Sequence, residues 1–219
     1  MTSIAARYGD AMPSAVSFCD ELDFAFGWMH PDPPWMLRAG HAIRSGGGVW
    51  VIDPVDGDGV DDRIAALGDP LGVVRLLDRH PRDCAAFAER FGVPLHLEPV
   101  GGVPDAPFEV IPVLSVPGWH EVALWFPQER TLVCADALAN APGYRAPGEP
   151  VGVHPVLRPR PPKVLKGYPA EHVLLGHGPG LHGPDAAAGV RRAMDTAWRQ
   201  APFWAAAQAR AQLRRLLPG

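Results

Sequence analysis

Cysteine is scarce in this chain. Cys19, Cys84 and Cys134 are the three cysteines in 219 residues, too few and too odd a number for a disulfide framework. A reducing cytoplasm is the compartment that this usage predicts. Basic charge is not in excess either. Twenty Lys and Arg stand against 24 Asp and Glu, net −4, so nothing draws the chain to a phosphate backbone and no nucleic-acid partner is expected. No apolar run approaches the ~20 residues that cross a bilayer. The opening MTSIAARYGD lacks a basic segment with an apolar run behind it, so neither a membrane span nor a signal peptide is expected. Walker-type loops are missing, as is a Gly-x-Gly-x-x-Gly after a strand, which removes support for a nucleotide cofactor. The absence of a Gly-x-Ser-x-Gly elbow argues against a serine hydrolase.

What is present suits one folded domain with appendages. Hydrophobic residues make up 47% and charged residues 20%, enough apolar material for a real core. Proline (26) and glycine (24) are abundant but scattered, as in a loop-rich folded chain. Residues 1 to 37 read as an irregular arm, with Phe18, Phe24, Phe26, Trp28 and Trp35 in strand-like pieces packed on the body and in part a lid. Residues 38 to 198 read as the main domain, and 199 to 219 as an amphipathic C-terminal helix.

Within the domain, His41 to Arg44 and Val49 to Asp53 form a hairpin across Ser45-Gly46-Gly47-Gly48. VWVID is continuously apolar up to its Asp, the pattern of a strand buried on both faces. Val60, Ile64 and Leu67 share a helix face. Val73 to Leu77 is a short buried strand, and a helix from Arg82 to Phe91 stops at Gly92. Leu95 to Leu97 is another short strand. Phe108 to Val113, Glu121 to Phe126 and Thr131 to Ala135 make a meander. Residues 140 to 162 form a Pro/Gly-rich loop, and loops this long are usually functional or mobile. Glu171 to Leu175 is a buried strand ending in Gly176-His177-Gly178. Two helices, Pro184 to Trp198 and Ala201 to Leu217, close the chain.

The stretch VVRLLDRHPRDC, Val73 to Cys84, concentrates chemistry. Asp78, His80, Asp83 and Cys84 lie within seven positions, interleaved with Arg79 and Arg82. They follow a strand, where α/β sheets place their sites. A plain charged turn is the competing reading, with the arginines in water and Asp78 as a helix cap.

The order of these landmarks resembles the metallo-β-lactamase fold superfamily over roughly residues 38 to 194. VWVIDP resembles the family's early strand. VVRLLDRHPRDC sits where the family has His-x-His-x-Asp-His. PGWHEVALWFPQERTLVCADAL resembles its His-bearing turn, strand pair and Gly-Asp-Ala turn, and VLLGHGPGLHG its closing strand and Gly-His-Gly turn. The resemblance implies an α/β fold, an αββα sandwich of two mixed sheets face to face with helices outside. It places Asp136 on the bridging aspartate and His177 on the last histidine ligand. Two registers remain for the first motif. One lays Asp83-Cys84 on Asp-His and puts Arg79 and Pro81 on the first two histidines. The other puts Asp78 and His80 there, with Arg82 and Asp83 last. His120 lies near the middle histidine.

The implied chemistry is hydrolysis of a small ester, thioester, lactone or phosphoester by a metal-activated water. The site is incomplete in either register. Asp83, Asp136, His177 and His120 are the expected metal ligands; Cys84 could join them, but a small buried apolar role is the favoured reading for it. Asp83 and His80 are the catalytic candidates, and Arg79 and Arg82 the binders of an anionic ligand. One zinc, manganese or iron ion, or none, is the expected cofactor. A small molecule is the expected partner. Two alternatives stand beside hydrolysis: a fold relative that binds a small anion or a protein without turnover, and a protein whose C-terminal helix pairs in a homodimer.

Overall fold

The computed structural model describes residues 15–31, 36–80 and 82–216. Expectations that fall on residues 1–14, 32–35 and 217–219, Trp35 and Leu217 among them, lie outside the described residues, as does Pro81.

Two mixed sheets form the body. The first has six strands: β1 (Ser17–Leu22), β2 (Ala25–His30), β3 (Arg38–Ser45), β4 (Gly48–Ile52), β5 (Pro70–Arg75) and β6 (Leu95–Leu97), in that spatial order. β1 to β4 run antiparallel, while β4, β5 and β6 run parallel. The second sheet is built from β7 (Glu109–Val116), β8 (Trp119–Phe126), β9 (Thr131–Cys134), β12 (His172–Leu175) and β13 (Leu181–His182). Its order is β13-β12-β9-β8-β7, with β9 and β12 parallel. A small ribbon, β10 (Leu138–Ala139) with β11 (Gly152–Val153), stands beside it.

The apolar pattern of each strand explains the layering. All five residues of β4, GVWVI, are buried. Trp50 and Ile52 pack into the core between the sheets, on the face of the second sheet that carries Leu124, Phe126 and Val133. Val49 and Val51 face the other way, into a core shared with α1 (Val60–Leu67) and α2 (Cys84–Phe91). Those short helices present Val60, Ile64, Cys84, Phe87 and Ala88 at helical spacing to that face. Gly92, with φ 64°, ends α2 in the left-handed conformation that favours glycine. On the far side, α3 (Ala186–Leu216) covers the second sheet with Ala186, Val190, Ala193, Met194 and Ala197. The result is the αββα sandwich.

Three elements differ from the sequence reading. The strand-like pieces expected in the N-terminal arm are strands packed on the body, but regular ones: β1 and β2 are the two outer strands of the first sheet. Phe26 and Trp28 are buried there, and Trp28 Nε1 donates to Val55 O at 2.7 Å. The two expected C-terminal helices are one helix of 31 residues that runs through Pro202. The proline removes the bond to the carbonyl four residues back, on Trp198. Trp198 is exposed, so water can serve that carbonyl, and the alanine-rich flanks favour helix. Finally, the 140–162 loop carries the β10–β11 ribbon and is pinned by buried Arg158, which pairs with Glu149 at 2.7 Å.

One crossing positions the site. After β5 the chain leaves the first sheet and pairs with β8 of the second. Val122 N donates to Leu76 O at 2.9 Å, and Asp78 N donates to His120 O at 3.1 Å. The two sheets are thereby stitched at one edge, and the turn that follows hangs between them.

Candidate metal centre

Four polar side chains meet at that edge, each just beyond the C-terminal end of a strand that belongs to a parallel pair. Asp53 follows β4, His80 follows β5, Asp136 follows β9 and His177 follows β12. The Gly-His-Gly turn holds His177 closely. Asn140 N and Ala141 N both donate to His177 O, at 2.8 and 3.1 Å. Gly178, at φ 85°, lies so near this strip that a Cβ would sit 2.8 Å from Ala141 N. No other residue fits there without moving backbone.

His80 Nε2, Asp136 Oδ1 and His177 Nε2 converge. The separations are 3.1 Å from His80 to Asp136, 2.9 Å from His177 to Asp136, and 3.3 Å between the imidazoles. All three residues are buried, and among the described residues they form the one group of three or more His, Cys, Asp or Glu side chains with such spacing. The outer nitrogens are already committed. His177 Nδ1 donates to Met36 O at 2.9 Å, and a carbonyl can only accept. His80 Nδ1 lies 3.2 Å from Asp53 Oδ2. Asp53 in turn accepts from Leu76 N at 3.0 Å.

This bonding dictates the inner face. With Nδ1 protonated, a neutral His177 aims the Nε2 lone pair at a carboxylate oxygen 2.9 Å away. A neutral His80 that donates to Asp53 does the same. Three acceptors facing one another repel unless protons or a cation lie between them. Burial lowers the pKa of His177, with Asp136 opposing, so the second proton is disfavoured there. Burial and the Arg82 charge also press on His80, but its bonds to Asp136 and Asp53 outweigh them and raise its pKa. Burial alone would raise Asp136. Hydrogen bonds from His177 and His80 reverse that and hold the carboxyl far below the ordinary range. Asp136 is therefore ionised, and His80 and Arg79 are the groups that face its charge.

The donors fit a divalent transition ion. Bonds of ~2.0–2.1 Å in a tetrahedron separate neighbouring ligand atoms by about 3.3 Å, close to the spacings found here. Two histidines, backed by Asp53 and by Met36 O, and a carboxylate that accepts from Arg79 and Tyr144 form a ligand set with an outer shell in place.

Around this centre lies a cavity of about 590 Å³, whose lining includes Arg79, Tyr144, His154 and Trp204. Arg79 Nη2 reaches Asp136 Oδ2 at 3.0 Å, and its guanidinium lies 3.8 Å from the Trp119 ring centre. The Tyr144 ring stacks on His177 with centroids 5.2 Å apart, and its hydroxyl donates to Asp136 Oδ1 at 3.3 Å. Below the site Glu121 is buried, accepting from Trp119 Nε1 at 2.9 Å and Ala137 N at 2.8 Å. Burial pushes its pKa up to about 7.

The sequence-expected residues are distributed as follows. Asp136 and His177 meet, and His80 joins them. Asp83 does not: its carboxylate accepts from Asp56 N at 2.7 Å, at the head of α2. His120 pairs with Asp78 at 2.8 Å, half-exposed on the second sheet. Cys84 is packed in the core beneath α2. Arg79 borders the cavity. Arg82 is bound to backbone, donating to Ala39 O, to Asp53 O at 3.3 Å and to Gly176 O at 2.9 Å. Of the residues that the second register placed on ligand positions, His80 lies in the site, whereas Asp78 and Asp83 do not. Asp53, Tyr144, Glu121 and Trp204 escaped the sequence reading as site residues. Asp53 had a signal, since it ends a buried strand at the same sheet edge.

Neither protein-family models nor curated protein sequences match this chain. Solved structures do. DIM-1 metallo-beta-lactamase superposes with a TM-score of 0.59 at 14% identity, over 84% of this chain and 99% of that one. TMB-1 gives 0.54 at 13%, over 84% and 98%. A metallo-beta-lactamase from Erythrobacter litoralis gives 0.52 at 11%, over 84% and 93%. The chain has the metallo-β-lactamase fold.

Proposed function

We propose that the protein is a hydrolase that uses one divalent metal ion, held by His80, Asp136 and His177, on a small substrate bearing an anionic group. The observation that carries this reading is the convergence of three buried ligand atoms, His80 Nε2, Asp136 Oδ1 and His177 Nε2, no two more than 3.3 Å apart. A bound ion there supplies Lewis acidity and a water acidified toward neutral pH.

The chain's own groups supply the rest. Asp53 and Met36 O orient the two imidazoles. Arg79, held over Trp119 with its side chain 41% exposed, offers a guanidinium to a carboxylate or phosphate. Tyr144 and Trp204 wall the cavity and limit water. Arg82 brings a fixed positive charge behind His80, 3.4 Å from Nδ1, which disfavours a second cation nearby. The cavity's volume suits a small molecule better than a polymer.

A second reading rests on the Arg79–Asp136 ion pair. Without metal, that pair and a protonated His80 neutralise the centre, and the cavity binds a small anion without turnover. The two readings separate in one assay: zinc- or manganese-loaded protein against small esters, thioesters, lactones and phosphoesters. Turnover that disappears in both Asp136→Ala and His177→Ala supports the hydrolase. No turnover on the whole panel, with inorganic phosphate bound equally by loaded and chelated protein, supports the binder.

A further inference from the structure

A second histidine cluster lies on the far edge of the sandwich, away from the cavity. β12 and β13 pair antiparallel with His172 directly opposite His182. Cross-strand partners project on one face, which brings Nδ1 of each ring within 3.1 Å of the other. His182 is fixed from behind: its Nε2 lies 2.9 Å from Asp20 Oδ1. Asp20 comes from β1 of the other sheet, at a bulge where its φ of 52° turns the side chain inward. The same oxygen accepts from Gly180 N at 2.8 Å. Its second oxygen faces buried His41 Nε2 at 3.6 Å and Cys19 Sγ at 3.5 Å. The hydrogen bond from His182, with the nearby His41 ring, overcomes burial and keeps Asp20 ionised. His182 therefore carries its proton on Nε2, and its Nδ1 presents a lone pair to His172.

We propose that His172 and His182 form a surface binding site for a borderline divalent transition ion, with Asp20 as the group that orients His182. Two nitrogens 3.1 Å apart, each ~2.05 Å from an ion, subtend about 98° at it, between octahedral and tetrahedral values. Imidazole donors select zinc, copper or nickel over magnesium and calcium. The carboxylate–histidine arrangement raises the donor strength of the ring and fixes its tautomer. Solvent reaches the pair: His182 is exposed and borders a surface cleft of about 330 Å³ that also contains Asp185. Water completes the coordination. An ion here ties β13, the lead-in to α3, to β12. At rest His172 Nδ1 donates its proton to His182 Nδ1; when an ion takes both Nδ1 lone pairs, that proton passes through solvent to His172 Nε2, so both rings stay neutral.

The test is a zinc titration of untagged protein by calorimetry, beside His172→Gln, His182→Gln and Asp20→Asn. Glutamine at 172 keeps a hydrogen-bond donor for His182 but is a poor ligand. Wild type binds one more equivalent than His172→Gln, whether or not the cavity site loads, so failure of the cavity site and failure of this one are distinguishable. Asp20→Asn weakens that equivalent by roughly 10- to 100-fold. Copper(II) bound to His177→Ala protein shows two-nitrogen hyperfine structure that the His172→Gln/His177→Ala double variant lacks. Equal stoichiometry in wild type and His172→Gln overturns the proposal, even if His182→Gln fails to fold.

Discussion

Arg158 offers a test of how the cavity wall is held. Its side chain is fully buried and grips Glu149 with both terminal nitrogens, at 2.7 and 3.0 Å. The same guanidinium donates to Tyr144 O at 2.6 Å and to Ala197 O on α3 at 3.4 Å. One side chain thus joins the loop that carries Tyr144 to the helix behind the second sheet. Arg158→Met leaves Glu149 buried with Ala146 N as its remaining donor, at 2.7 Å, and strands the Tyr144 carbonyl. Removing one partner of a buried pair costs about 3–5 kcal/mol. At ~2–4 °C per kcal/mol for a domain of this size, the melting temperature falls by about 6–20 °C. Urea unfolding of Arg158→Met, Glu149→Gln and the double variant completes a cycle, and the double variant recovers much of the loss because no unpaired charge remains. A single-variant cost below about 1 kcal/mol, the range of exposed pairs, refutes the reasoning.

Further outcomes follow from the same geometry. Glu121 is buried with its pKa raised to about 7, so its protonated form favours folding; that stability is full below about pH 4.5 and is lost as pH rises toward 7. The loss is about 3 kcal/mol at 1.36 kcal/mol per unit, and the difference in urea stability between wild type and Glu121→Gln changes by that amount from pH 5 to pH 8; a constant difference refutes it. Arg79→Met removes a cation from beside Asp136. It tightens zinc binding several-fold and abolishes phosphate binding in calorimetry; unchanged values for both remove Arg79 from the account. Burial raises the pKa of Cys19, Cys84 and Cys134, so all three resist a thiol reagent until unfolding. Fast labelling of any one of them in the native protein contradicts that packing.

Much of the fold was legible because its strands carry strong local signals. VWVI is apolar throughout and became a strand buried on both faces. The hairpin around Ser45–Gly48, the meander from β7 to β9 and the Gly-His-Gly turn were readable for the same reason. β1 and β2 were obscured by the proline-rich segment after them and by Gly27, whose place in a strand comes from pairing with His41. In α3, proline at 202 suggested a break that the helix tolerates. At the site, Asp136 and His177 were legible because each follows a clear strand. The choice between His80 and Asp83 was not. It depends on where the chain leaves β5, which is set by Leu76 and Asp78 pairing with β8, some 45 residues on, and no local pattern encodes that contact. Tyr144 and Trp204 reach the cavity from distant segments, through a loop anchored by Arg158 and a helix running past it.

The most direct test of the central claim is anomalous diffraction at the zinc edge from crystals of zinc-treated protein. The account predicts a peak within about 2.0–2.2 Å of His80 Nε2, His177 Nε2 and Asp136 Oδ1, lost in His177→Ala crystals. A well-ordered cavity with no anomalous peak there, Arg79 still paired to Asp136 and His80 bridging the two aspartates, contradicts it.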